Sequence, residues 1–404
     1  MAPFTYSRDP AIERCISGQV SYIGKQIIEA ANLDRPFALL LAGGFGRGEG
    51  AAKRWNGRVV VQNDYDLELI VDVSLPSFLR LYRQMRRRLG PRLRDLAQEL
   101  GVKQIDLGIR NLRLLQRGVR TIALYELASA HHQIAGDSEI AARLPSLSPA
   151  LLPLTEGSRL LLNRGGGLLL AAAYFTSLER LAPAELENFE IELTKAILSC
   201  GDLWLLERGL YHYSYVTRAT RLRQAAAFGH GSRLGELYRR AIEYKLRWVH
   251  WLESCALMSQ WVEIRDLFLD CWKAFEFNRL GRSFSDWGEY YSLRKPRHDP
   301  LLLEVGRELG RMCSTRGEWS RLARRVRRGR EVYLLSVLPA LLSVVTEDGL
   351  NVDEVAFLEP KLGDDEAQES WVRLTGRFLE LWHAQGEAGR VAALLRSRHT
   401  SKRP

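Results

Sequence analysis

A change of texture divides this chain. Up to about residue 125, apolar runs of strand length alternate with stretches of helical spacing, and beyond about residue 155 almost every segment has helical spacing. Phe37–Ala42 is a short apolar run ending in Gly43-Gly44, and Asp64–Val73 alternates so that Tyr65, Leu67, Leu69, Val71 and Val73 share one face. Val102–Ile109 alternates again. Such runs bounded by Gly and Asn read as strands. Between the last two lies Leu75–Leu100, Leu- and Arg-rich at helical spacing with Pro76 near its start, and Ala11–Leu33 reads as a leading helix. A strand–helix–strand order predicts an α/β N-terminal part, a mixed sheet with flanking helices.

Leu144–Leu154 holds three prolines and reads as a linker. After it, helical spacing predicts helices over Arg159–Leu178, Ala184–Arg208, Ser232–Trp261, Ile264–Arg279, Leu301–Cys313, Trp319–Val345, Trp371–His383 and Ala388–Arg398, with a polar tail, Ser397–Pro404. The expected division is a helical lead-in (1–34), an α/β domain (35–140), a linker (141–155), a helical domain (156–225) and a largely α-helical C-terminal region (226–404). No fixed-period repeat is present, which speaks against a solenoid.

With 404 residues, 46% hydrophobic and 26% charged, the chain can bury real cores, which excludes a disordered chain, a collagen-like fibre and a disulfide-stapled miniprotein. Lys and Arg exceed Asp and Glu by 58 − 48 = 10. That excess suits a phosphate-bearing ligand or nucleic acid without demanding either. Cys15, Cys200, Cys255, Cys271 and Cys313 are scattered with no CxxC pair, so neither a disulfide framework nor a structural zinc site is expected, and a reducing cytoplasm is. Met1–Arg14 lacks the apolar centre of a signal peptide, and the longest apolar stretch, Val332–Val345, contains Pro339 and is too short to span a bilayer. No membrane partner is expected.

The segment that carries chemistry is Gly43-Gly44-Phe45-Gly46-Arg47-Gly48-Glu49-Gly50, followed by Asn63-Asp64-Tyr65-Asp66 and later Asp106. Asp64 and Asp66, two apart on a strand, project the same way. Two such anions repel, and both stay ionised most easily with a cation between them. Mg²⁺ takes a few carboxylate oxygens together with phosphate oxygens. Asp106 sits mid-strand between Ile105 and Leu107, so it adds a third carboxylate if its strand lies beside Asp64–Val73. The glycines let backbone amides approach an anion, and Arg47 adds a cationic fork. The GxxxxGK[ST] signature is absent, which weighs against a P-loop ATPase.

An apolar strand ending in Gly-Gly, then Asp-x-Asp on a strand, then a later Asp on a strand, resembles the DNA polymerase β-type nucleotidyltransferase superfamily, here in a variant with a Gly-Arg-Gly-Glu-Gly extension. The resemblance covers residues 35–140. It implies a triphosphate-holding turn at Gly43 and Gly44, and two Mg²⁺ ions (with Mn²⁺ as a substitute) on Asp64 and Asp66. Asp106 would help ligate the ion that activates the acceptor hydroxyl. The gap from Gly44 to Asp64 is longer than usual and contains a basic insertion, Lys53-Arg54-Trp55-Asn56-Gly57-Arg58, read as a hairpin or loop. Members usually carry a following helical domain whose Lys and hydroxyl side chains bind the triphosphate, and Lys195 with Ser214 or Tyr215 resembles that arrangement. The implied activity moves an NMP from an NTP to a hydroxyl acceptor with release of pyrophosphate. Small molecules, RNA, proteins and nucleotides are all acceptors within the superfamily, and the fold does not choose among them. The rival reading is an inactive nucleotide-sensing or scaffold protein whose helical half binds a partner. A third is an RNA-binding helical protein with a vestigial first domain.

Other features have plainer expectations. Glu49 reads as a helix-start residue or a partner of Arg47, Asp72 as solvated, and His131-His132 as structural, because adjacent side chains do not face one way. Glu68 shares the parity of Asp64 and Asp66 and is left between metal support and solvent. Trp204, Trp248, Trp251, Trp261 and Trp272 read as core. The Arg-rich runs Arg80–Arg94 and Arg321–Arg330 read either as solvated helix faces or as polyanion contacts.

Overall fold

The computed structural model describes residues 3–62, 64–118, 120–177, 181–225, 228, 231–253, 255–293, 330–347, 349–350, 367–382 and 391. By contacts the chain forms two units, each assembled from two stretches: Met1–Pro153 with Arg208–His250, and Leu154–Glu207 with Trp251–Pro404. The expected helix Leu301–Cys313, the run Arg321–Arg330 except its last residue, the segment Ala388–Arg398 except Val391, and the tail lie outside the described residues.

In the first unit, α1 (Pro10–Ala31) starts where Asp9 accepts from the amides of Ala11 and Ile12, with Pro10 in the first turn, and it ends at Asn32 in the left-handed region. Its buried stripe, Ile12, Ile16, Val20, Ile23, Ile27 and Ala31, packs in one core with Leu39, Leu41, Leu67, Leu69 and Val71. These belong to β1 (Phe37–Leu41) and β4 (Tyr65–Val71), the two inner strands of a four-stranded sheet. With β5 (Ile105–Asn111) and β6 (His132–Gly136) the order is β5-β4-β1-β6. β1 runs antiparallel to β4 and β6, and β4 runs parallel to β5. A parallel neighbour needs a crossover, and α3 (Leu75–Leu100) supplies it. Its face Met85, Leu89, Leu96 and Ala97 is buried, whereas six of its seven arginines between 80 and 94 are exposed and only Arg92 is partly covered, beside Gln26. That arginine run is a solvated helix face.

Short elements complete this unit. The glycine segment forms one helical turn, α2 (Gly43–Gly46), and the basic insertion forms a hairpin of β2 (Ala52–Trp55) and β3 (Arg58–Val61). α4 (Leu112–Arg117), α5 (Ile122–Ser129) and α6 (Ser138–Ala142) follow around β6. The chain returns to this unit with α9 (Tyr215–Leu222) and α10 (Arg233–Arg247).

The second unit is helical: α7 (Thr155–Ser177), α8 (Pro183–Glu207), α11 (Leu257–Leu280), α12 (Trp287–Ser292), α13 (Arg330–Ser343) and α14 (Ala367–Trp382), with a small ribbon of β7 (Val345–Thr346) and β8 (Gly349–Leu350). Trp261, Trp272 and Trp371 are fully buried in it. Trp204, Trp248 and Trp251 are only half-buried, so the core expectation holds for Trp261 and Trp272 alone of the five. Glu276, also fully buried, is satisfied by Ser158, Arg279 and Tyr290. The single helix expected over Ser232–Trp261 is two helices. Trp248 adopts φ +56° and caps α10 through the Tyr244 carbonyl. Shortly after it the chain passes into the second unit, where the Trp251 amide donates to Glu190 and its indole to Thr194. Apolar spacing runs through the break because each side of it is buried in a different core.

Candidate functional site

The site is built where β1 ends. Leu41 pairs with Leu67, and the Ala42 amide donates to the Asp66 carbonyl at 2.7 Å, so the glycine turn is laid directly over the start of β4. Gly43 takes φ +63°, and a Cβ built on it would lie 1.9 Å from Asp66 Oδ2. Only glycine permits that approach. The first amides of the turn, those of Gly44 and Phe45, have no intrahelical acceptor, as at any helix start. Asp66 pairs in register with Asp106 on the parallel strand, so the two project to one side of the sheet. Burial pushes the Asp66 carboxyl up to about 6, reinforced by the charges of Asp106 and Asp64; Lys245 and Arg47 pull the other way. Asp64 and Asp106 therefore both act on Asp66, beside the glycine bend. Asp106 is exposed and accepts from Gln104.

The extension beyond the glycines is engaged internally. Arg47 donates to Glu126 on α5 at 2.8 Å, with its side chain 7% exposed. Arg218 on α9, 1% exposed, pairs with the same carboxylate, and the Tyr211 hydroxyl donates to it at 2.7 Å. Burial works against the charge of Glu126, but Arg47 and Arg218 outweigh it and hold the carboxyl below the usual range. The Arg218 guanidinium also lies over the Tyr211 and Tyr215 rings, at 4.2 and 4.3 Å from their centroids. Glu49, nearly fully buried, accepts from the Ser214 hydroxyl at 2.6 Å and from the amides of Tyr215 and Val216. A carboxylate thus caps the N-terminus of a helix far away in sequence, where the helix dipole favours it. Replacing Glu49 by Ala should cost about 2 kcal/mol by stranding these donors, and Glu49→Gln less; urea midpoints at constant m-value check this.

The expected residues divide accordingly. Gly43, Asp66 and Asp106 come together, and Asp64 lies near enough to act electrostatically on Asp66. Arg47 is not the free phosphate fork expected from its glycine neighbours, because Glu126 holds it inside. Ser214 is the N-cap of α9, accepting from the Thr217 amide while donating to Glu49, and Tyr215 stacks on Arg218. Lys195 belongs to the second unit and pairs with Glu192 one turn away on α8 at 2.8 Å. Glu68 makes a two-pronged pair with Arg110. Asp72 is not solvated, since Arg113 and Arg143 bind it and hold its carboxyl low. His131 contacts the Leu127 carbonyl and His132 the Pro3 carbonyl, both structural.

Two residues escaped the sequence reading. Glu126 is one acid in the apolar stretch Ile122–Ser129, a pattern that signals a buried partner but not which one. Lys245 lies on amphipathic α10 like any surface lysine, yet it acts electrostatically on Asp66 and its ammonium is 5.9 Å from the Tyr215 ring centroid.

Among the described residues, no three His, Cys, Asp or Glu side chains are gathered closely enough to hold a metal ion by themselves. The donor set is nevertheless of hard carboxylate oxygens, and the raised Asp66 carboxyl is one that a cation would relieve. The arrangement fits Mg²⁺ as an ion completed by substrate phosphate oxygens rather than by a protein cage. Compared with known proteins, the chain matches no family model, no curated protein and no solved structure.

Proposed function

We propose that the first unit is a nucleotidyltransferase domain that moves an NMP from an NTP to a hydroxyl acceptor and releases pyrophosphate. The observation that supports it is the Asp66 carboxylate set against Gly43 and in register with Asp106. Mutually repelling carboxylates beside helix-start amides that lack an intrahelical acceptor are best tolerated where dications and a polyphosphate sit. Asp64 and Asp66, with Asp106, would hold Mg²⁺. Bound there, the ions supply charge neutralisation on the triphosphate and a lowered pKa for the acceptor hydroxyl. The amides of Gly44 and Phe45 would receive phosphate oxygens, and Lys245, which acts electrostatically on Asp66, would add positive charge. Asp106, exposed, would orient the acceptor hydroxyl. The acceptor hydroxyl gives its proton to water, its oxygen bonds to the α-phosphorus, the bond from that phosphorus to the bridging oxygen breaks, and pyrophosphate carries the electron pair away.

The test is incubation with each α-labelled NTP, Mg²⁺ and a cell extract. Wild type should label a product, and Asp64→Asn should abolish labelling while leaving circular dichroism and Tm intact. Undiminished transfer by that variant refutes the mechanism. The engagement of Arg47 and Ser214 within the protein favours a second reading, in which the domain binds NTP without turnover. Tight NTP binding with no pyrophosphate release would decide for it.

A further inference from the structure

The hairpin β2–β3 is inserted between the two halves of the site. It leaves the glycine segment directly after Gly50 and returns at Val61, just ahead of Asp64. Asn56 and Gly57, with φ of +48° and +77°, close it in the two-residue turn that suits a tight hairpin. Four residues per strand carry its tip about 13 Å from its root. At that tip Trp55 is 62% exposed, more than any other large apolar side chain among the described residues. A ring so placed contributes little to the core.

One cation lies against it and a second pairs with it across the hairpin. The Lys53 ammonium lies between two indoles, 5.8 Å from the Trp55 ring centroid and 4.0 Å from that of Trp248, the residue that ends α10. Arg58 pairs across the hairpin with Trp55 and is exposed. Neither Lys53 nor Arg58 forms an ion pair with a carboxylate among the described residues, whereas Arg54 reaches Asp9 at 3.3 Å in the open. Arg247, in the last turn of α10, pairs with Glu243 at 3.5 Å, also exposed. Exposed pairs of this kind yield readily to a stronger anion.

We propose that this hairpin and the end of α10 bind single-stranded nucleic acid, one base stacking on Trp55 while Lys53 and Arg58 take the flanking phosphates. An open ring between cations matches the alternation of base and phosphate in a single strand, and a duplex offers the phosphates without a free base face. The strand's role as the hydroxyl acceptor rests on the transfer reading above; its binding does not.

The test measures fluorescence anisotropy of labelled 12-nucleotide oligo(U), oligo(dT) and a duplex of equal length, with the full chain in EDTA and without NTP. Both single strands should bind more tightly than duplex, with affinity falling as salt rises. A preference for oligo(U) over oligo(dT) would identify RNA as the strand; equal binding assigns the site to either. Trp55→Ala should weaken binding about tenfold, and Arg58→Ala should weaken it severalfold and flatten the salt dependence. Both positions are exposed, so neither variant should lose its fold. Asp64→Asn should bind as wild type, which separates this result from any failure of transfer. No binding at low salt, equal binding of duplex, or indifference to Trp55→Ala overturns the proposal. So does Trp55-dependent binding to phosphatidylserine vesicles in place of oligonucleotides.

Discussion

Replacing Asp66 by Asn should stabilise the metal-free protein at pH 8 and silence it at the same time. Burial and the charges of Asp106 and Asp64 push the Asp66 carboxyl from 3.8 up to about 6. Between those values the folded protein holds a proton that the unfolded chain has released, so stability falls as pH rises through this window and the loss is complete above it. A rise from 3.8 to about 6, at about 1.36 kcal/mol for each tenfold change in proton affinity, sets the penalty at about 3 kcal/mol for the ionised form at pH 8. Asn keeps the shape of the side chain and removes the charge. In EDTA the variant should therefore melt above wild type at pH 8 and together with it at pH 4. Mg²⁺ should raise wild type at pH 8 and leave the variant nearly unmoved. Transfer should fall by about a thousandfold or more, the loss of several kcal/mol of charge stabilisation. A variant no more stable than wild type at pH 8 would mean that neither burial nor the neighbouring carboxylates penalise the ionised Asp66, and with that the electrostatic basis of the site fails.

The parts of this site that could be read from sequence are those set by local period. Alternation placed Tyr65, Leu67, Leu69 and Val71 inside, and therefore Asp66 on the other face; Asp106 was read beside Asp66 only on the condition that its strand neighbours Asp64–Val73, and the parallel pairing of β4 with β5 meets that condition. The apolar stripe of Pro10–Ala31 was equally plain. What could not be read depends on partners chosen at long range. Arg47 follows three glycines and has the look of an anion fork, yet its partner is 79 residues away. Glu49 has the composition of a local helix start but caps a helix 165 residues away. The passage of residues 208–250 into the first unit leaves no trace in periodicity, because amphipathic helices look alike whichever core they face. For the same reason Lys245 was indistinguishable from a solvated lysine, and Lys195, one turn from Glu192 on α8, has the spacing of any helix-surface ion pair.

Removal of Glu126 should be the most damaging single change to the first unit's stability. Its carboxylate is shared by two guanidiniums, of which Arg218 is 1% and Arg47 7% exposed. Breaking a buried pair by deleting one partner costs about 3–5 kcal/mol, because the remaining charge cannot regain its water. Here two charges are stranded, with the Tyr211 hydroxyl left short of its acceptor. Glu126→Ala should thus lower the urea midpoint severely or abolish folding of this unit. Glu126→Gln, which keeps an acceptor for Tyr211 but not the charge, is the informative variant if alanine proves too disruptive. A cycle with Arg218→Met should show strong coupling, since removing both charges is far less costly than removing the acid alone. Additive effects of the two substitutions would show instead that the pair is incidental. The same carboxylate joins Arg47, at the end of the glycine turn, to Arg218 on α9, whose first turn is capped by Glu49. Loss of Glu126 therefore loosens the turn and the helix together, and in Glu126→Gln nucleotide affinity should fall in step with stability, although Glu126 lies outside the aspartate cluster.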